Sequence, residues 1–210
     1  MPRKKSLKNK HSGTNTLRII GGEWRSRKLP FVDAQGLRPT PDRIRETLFN
    51  WLQGYIHGAN CLDLFTGSGI LGLEALSRGA NQVTFVEKNK AIANQLKINL
   101  KTLKSVAEVH HQDALEYLED VSRDYKTGKK RGGVLDIIFL DPPYRQNLLE
   151  KALKIICDKE NGMVDANTLI YLEHGTKESF DWDRFGLNVL KQANAGQVKS
   201  YLMGVKGSAE

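Results

Sequence analysis

Asp63-Leu64-Phe65-Thr66-Gly67-Ser68-Gly69-Ile70-Leu71-Gly72 reads as a strand end that turns through a glycine-rich loop into a helix. Gly67, Gly69 and Gly72 satisfy GxGxxG, and Glu87 lies 20 residues beyond Gly67, at the end of the next apolar run. Glycines let the backbone approach a ligand, and an acid at the second strand end can accept hydrogen bonds from both ribose hydroxyls. The pattern therefore predicts an adenosine-containing cofactor without choosing between NAD and S-adenosylmethionine. Asp63 tips the choice, because a carboxylate at the first strand end repels a pyrophosphate but suits a positively charged methionyl end. Phe65, in the same loop, is a further candidate contact.

Working outward, short apolar runs alternate with amphipathic ones. Strands are expected at Cys61 to Phe65, Gln82 to Glu87, Val106 to His110, Val134 to Leu140 and Thr168 to Glu173. Helices are expected at Ile70 to Ser77, Lys90 to Leu103, Ala114 to Arg123 and Leu148 to Cys157. That alternation implies an α/β fold with a mostly parallel sheet covered on both faces. Leu187 to Gln192 and Gln197 to Val205 are joined by Ala193-Asn194-Ala195-Gly196, too short for a parallel crossover, so they form an antiparallel hairpin. This ending suits a methyltransferase better than a dehydrogenase. Asp113 follows the third strand, where it either contacts adenine, caps the following helix with Glu116 in support, or does both.

The second informative stretch is Asp136-Ile137-Ile138-Phe139-Leu140-Asp141-Pro142-Pro143-Tyr144, a buried strand that delivers an acid, two prolines and an aromatic ring to the cofactor edge. The exocyclic amine of a base is a poor nucleophile because its lone pair is delocalised into the ring. Hydrogen bonds from its N–H groups to Asp141 and a loop carbonyl would align it with a methyl donor and favour a pyramidal nitrogen. Pro142 and Pro143 fix the loop, and Tyr144 offers a face for an extruded base. Cys61 and Cys157 are placed neither as an attacking thiol nor in a zinc or disulfide pattern, and no metal is expected.

Charge locates the partner. Residues 1 to 45 carry a net +9, and the remaining 165 carry −1. Such a block neutralises phosphates with release of counterions. Residues 1–16 are expected as a basic tail, either solvated or ordered on binding. Residues 17–55 are expected as an RNA-binding extension: a small hairpin of Leu17 to Ile20 with Trp24 to Leu29, then a helix from Asp42 to about Gln53 with Ile44, Leu48, Phe49 and Leu52 on its apolar face. Residues 56–210 are the expected catalytic domain. Arg18, Arg25, Arg27, Lys28, Arg38, Arg43 and Arg45 are the candidate RNA contacts, whereas Lys126 to Gly133 reads as a solvated basic loop. No apolar run approaches the roughly 20 residues of a membrane helix, so a cytoplasmic protein is expected.

Together the first loop, Glu87, Asp113 and the Asp-Pro-Pro-Tyr box resemble the amino-methyltransferase superfamily. The resemblance extends to the RsmD-type 16S ribosomal RNA guanine-N(2) methyltransferases. It is carried by Arg18 to Gly22 (Arg-x-x-Gly-Gly), Arg38 to Glu46 (Arg-Pro-Thr leading into Asp-Arg-x-Arg-Glu), Gly67 to Arg78 and Gly196 to Val198. It implies a Rossmann-like class I fold, S-adenosylmethionine as donor, and methylation of the 2-amino group of one guanine in 16S rRNA of an assembled or nearly assembled small subunit. It further implies donor contacts from Asp63, Gly67, Gly69 and Glu87, a guanine site at Asp141 to Tyr144, and positions near cofactor or RNA for Arg38, Thr40, Arg43 and Arg45. A monomer is expected. The competing readings are a DNA amino-methyltransferase, a nicotinamide-linked oxidoreductase and a noncatalytic RNA-binding protein. The first lacks a visible target-recognition domain, and the other two leave Asp141 to Tyr144 unexplained.

Overall fold

The computed structural model describes residues 15–32, 40–129, 133–143 and 147–207. Residues 1–14 of the basic tail, Arg38, Tyr144 and part of the Lys126 to Gly133 stretch lie outside the described residues. The elements in chain order are β1 (Thr16–Arg18), β2 (Lys28–Pro30), α1 (Asp42–Trp51), β3 (Asn60–Asp63), α2 (Ile70–Ser77), β4 (Gln82–Val86), α3 (Lys90–Thr102), β5 (Glu108–His110), α4 (Ala114–Lys126), β6 (Ile137–Leu140), α5 (Leu148–Ile156), β7 (Leu169–Gly175), β8 (Leu187–Ala195) and β9 (Val198–Val205).

Seven strands form one sheet in the order β5-β4-β3-β6-β7-β9-β8, parallel through β7 and antiparallel at β9 and β8. All four residues of β6 are buried, as a central strand covered on both faces requires. On one face, α2, α3, α1 and the β1-β2 hairpin share a core that includes Leu48, Phe49, Leu73, Phe85 and Phe139. On the other, α4 and α5 pack with Leu62, Ile138 and Leu172. Helix starts are fixed locally: the Asn89 side chain accepts from the amides of Ala91 and Ile92, and that of Asp113 accepts from Leu115. β8 is an edge strand, mostly exposed, with Lys191 on it and a register shift between Val189 and Lys191 that discourages further pairing.

Several element boundaries shift by a few residues from expectation, and three differences bear on the extension and the sheet edge. β8 extends inward to Ala195 and β9 begins one residue later than expected, at Val198, so only Gly196 and Gln197 separate them. The amino-terminal hairpin pairs Thr16 with Pro30 and Arg18 with Lys28, leaving Ile19 to Arg27 as a longer loop. This loop docks on α2: the Glu23 amide donates to the Ser77 carbonyl at 2.7 Å. Gly22 sits there at φ +75°, and a Cβ on it would lie 1.8 Å from that carbonyl, so glycine is required by both conformation and contact. The third difference is the buried face of α1, which is Arg45, Leu48 and Phe49, with Ile44 only half-buried.

Residues 17–55 therefore belong to the same core as the large sheet rather than packing apart from it. What fastens them is a buried cluster around Glu74. Its carboxylate accepts from the amides of Ile20 (2.6 Å) and Gly21 (3.3 Å), from Arg78 Nε (3.4 Å) and from Arg45 Nη1. Arg45 in turn donates to the carbonyls of Thr40 (3.1 Å) and Arg18 (3.0 Å) and to Asp42 (2.5 Å).

Candidate active site

The parallel strands end on one edge of the sheet, and the acids named from the sequence end there with them. Such edges, outside the carboxyl ends of the strands, are where open α/β sheets bind ligands. Asp63 closes β3, Glu87 follows β4, Asp113 follows β5 and Asp141 follows β6. Asp63 is buried, and its Oδ2 accepts from the Gly72 amide at 3.1 Å. Burial pushes its pKa up to about 8, the Gly72 N–H opposing and Glu87 adding to the rise. Glu87 ties the cofactor loop down: Oε2 accepts from the Gly67 amide (2.8 Å) and Oε1 from the Asn89 amide (2.7 Å). Gly69 begins α2 at φ +78°, where a Cβ would lie 2.7 Å from a Leu96 methyl. Phe65 is half-buried against the α4–α5 side. Asp113 caps α4, and its remaining oxygen has no recorded partner among the described residues.

Asp141 stands at the centre of this edge. Its carboxyl is raised well above the usual range by burial, then by Glu173 and Asp63, while a hydrogen bond from the Thr40 hydroxyl opposes the rise. Asp63, Asp141 and Glu173 come from the adjacent strands β3, β6 and β7, which makes a row of three carboxyl groups in which the central Asp141 is repelled by both neighbours. Thr40 is itself buried, so the segment before α1 is part of the site. Pro142 is buried and Pro143 exposed.

Glu173 carries no role in the sequence reading, although it lies near the carboxyl end of β7, two residues before the strand closes at Gly175. Its Oε1 accepts from the Tyr171 hydroxyl at 2.6 Å, and Tyr171 also bonds Ser200. Burial raises the Glu173 carboxyl, and the Tyr171 hydrogen bond opposes the rise. A cavity of about 240 Å³ opens beside it, lined by Pro142, Pro143, Glu173, His174 and Phe180 among others.

The candidate RNA contacts divide. Arg25, Arg27, Lys28 and Arg43 are exposed and make no ion pair with a described residue. Arg18 is exposed but paired with Asp42 at 2.6 Å. Arg45 does not reach the surface: its side chain is 2% exposed and pairs with Glu74 and Asp42, which corrects its assignment as an RNA contact. The signal was present, since Arg45 stands three and four residues before Leu48 and Phe49, on the apolar face of α1. Both thiols are held neutral, Cys61 by burial and Cys157 by burial to about 12, so neither is a ready nucleophile. Among the described residues no group of three or more His, Cys, Asp or Glu is placed to hold a metal ion, and no helix is long and apolar enough to cross a membrane.

The family described as conserved hypothetical protein 95 matches residues 17–204. The ribosomal RNA small subunit methyltransferase D of Haemophilus influenzae is 51% identical over 160 residues, which is 75% of this chain and 78% of that protein. The Escherichia coli protein of the same name is 43% identical over 192 residues, 91% of each chain. A solved Escherichia coli structure, named as a candidate methyltransferase, superposes with a TM-score of 0.77 at 41% identity, covering 92% of this chain and 100% of that one.

Proposed function

Because the chain belongs to the conserved hypothetical protein 95 family, we propose that it transfers a methyl group from S-adenosylmethionine to the 2-amino group of a guanine in 16S rRNA, on the assembled or nearly assembled 30S subunit. The names of the relatives support the RNA class. The observation that carries the chemistry is Asp141, held by Thr40 at the sheet edge beside Asp63 and followed by two prolines.

The residues present fit the donor. Each Glu87 oxygen holds one amide and keeps a further lone pair for a ribose hydroxyl. The repulsion of Asp141 by the carboxyl groups on either side of it is relieved by a cationic ligand and aggravated by an anionic one, which favours the methyl donor over a dinucleotide. Thr40, Asp63, Phe65, Gly67, Gly69, Glu87 and Asp113 would hold it. When bound it supplies an electrophilic methyl on a sulfonium.

Asp141 accepts a hydrogen bond from the exocyclic amine and orients its lone pair, and the loop carbonyls beside it take the second N–H. A carboxyl pushed toward its neutral form is suited to hold the proton the amine gives up. Pro142 and Pro143 fix the direction of those acceptors, and Tyr144 stacks on the extruded base. Arg25, Arg27, Lys28 and Arg43 supply the phosphate contacts of the extension, residues 17–55, and the acting unit is a cytoplasmic monomer.

The test is transfer of labelled methyl to small subunits lacking the modification. Asp141→Ala should abolish transfer and retain donor binding. Transfer to duplex DNA but not to subunits would overturn the RNA assignment.

A further inference from the structure

Guanine differs from the other amine-bearing bases in one respect that a protein can read at this edge. Its exocyclic amine neighbours a ring N–H, whereas the ring nitrogen beside the amine of adenine or cytosine is an acceptor. A site that places two acceptors side by side therefore accepts guanine and leaves the other two with lone pairs facing lone pairs.

The structure holds such a pair. Leu140 and Leu172 are paired in register, so Asp141 and Glu173 follow as neighbours on adjacent strands. The Tyr171 hydroxyl fixes Glu173 Oε1, and Tyr171 is itself buried and bonded to Ser200, so the carboxylate is held on a rigid strand rather than on a loop. Among the described residues Oε2 has no hydrogen-bond partner. The adjoining cavity of about 240 Å³ suits a planar base rather than a whole nucleotide. Its wall includes Pro142 and Pro143 from the catalytic loop.

The wall of the same cavity includes His174. It is buried and stacked on Tyr201 with ring centroids 5.3 Å apart. Its Nδ1 lies 2.9 Å from the Gly175 carbonyl, which can only accept, so Nδ1 carries a proton. Its Nε2 is the one buried side-chain nitrogen or oxygen among the described residues without a hydrogen-bond partner. An orphaned buried nitrogen of this kind is unfavourable and rare.

We infer that Glu173 reads guanine, its free oxygen accepting the ring N1–H while Asp141 takes the adjacent amine. This rests on the methyl-transfer reading above and names the residue that selects the base. Glu173 is a specificity-determining residue, with no part assigned to it in moving the methyl group.

The test uses the full chain and small subunits reconstituted with 16S rRNA carrying either guanine or 2,6-diaminopurine at the modified position. The analogue keeps the 2-amino group and replaces the ring N–H with an acceptor. The unaltered protein should prefer guanine by roughly 10- to 100-fold in kcat/KM, the range of one hydrogen bond to a charged group. In Glu173→Gln the preference should fall to within about threefold, because an amide offers either a donor or an acceptor. The 6-position difference between the two bases is common to both proteins and cancels in the comparison. A purely structural role for Glu173 would lower Tm and donor affinity and leave the preference intact, so both are measured alongside. Equal rates on the two bases with the unaltered protein would overturn the inference even if the variant fails to fold. So would an undiminished preference in the variant. Absence of transfer to either subunit would instead overturn the parent reading, and this assignment with it.

Discussion

Replacing Glu74 with glutamine should unfasten the amino-terminal extension. Glu74 is fully buried and accepts from four donors: the amides of Ile20 and Gly21, Arg45 Nη1 and Arg78 Nε. Glutamine has the same shape, but its amide nitrogen must face at least one of those donors. Removing one partner of a buried ion pair costs about 3–5 kcal/mol, largely because a charge is left without compensation. Arg45 keeps Asp42 and two backbone carbonyls, so the lower end, about 3 kcal/mol, is expected. For a chain of this size that is a fall of roughly 6–12 °C in Tm. Thermal and urea unfolding at neutral pH measure it, with Glu46→Gln on the exposed face of α1 as a control expected within about 0.5 kcal/mol of the unaltered protein. Amide hydrogen exchange over residues 16–30 should accelerate in the variant and not in the control. A loss under about 1 kcal/mol, with unchanged exchange, would refute the role given to this cluster.

Further expectations concern charge at the site and on the extension. Asp63 has a folded pKa of about 8 against an unfolded value of about 3.9, so the folded state holds its proton more tightly. Its contribution to stability is fully present below about pH 4 and is lost as pH rises through 8. Asp63→Asn, which keeps an oxygen for the Gly72 amide, should therefore gain stability over the unaltered protein between pH 5 and 9, by on the order of a few kcal/mol, while weakening the donor. Parallel urea-unfolding profiles against pH would contradict this. Replacing Arg25, Arg27 and Lys28 together by alanine should reduce the slope of log K for RNA against log salt by roughly 2–3, with donor affinity unchanged. An unchanged slope would move the RNA to another face.

The sequence reads best where a local rule has one physical solution. The limits of α2 are visible because the glycine loop and an apolar run fix both its ends. Asp63, Glu87, Asp113 and Asp141 are visible because strand ends and ligand edges coincide in a parallel sheet. Glu173 follows nearly the same rule, two residues before the end of β7, but only the single Gly175 follows it, with no glycine-rich or proline-rich loop to mark the place. The Glu74 cluster is hidden for a different reason. Its donors lie 53 and 54 residues away in Gly21 and Ile20, and 29 away in Arg45, so only the fold brings them together. Arg45 illustrates the limit of counting charge, since a net of +9 over the first 45 residues says nothing about which arginine turns inward.

The most direct measurement is the identity of the modified nucleoside. Small subunits lacking the methyl group are incubated with the protein and S-adenosylmethionine, and the 16S rRNA is digested to nucleosides and resolved by mass spectrometry. The account predicts N2-methylguanosine at a single position, formed by the unaltered protein and not by Asp141→Ala. Methyl groups on adenine or cytosine amines, or on a ring carbon, would contradict it.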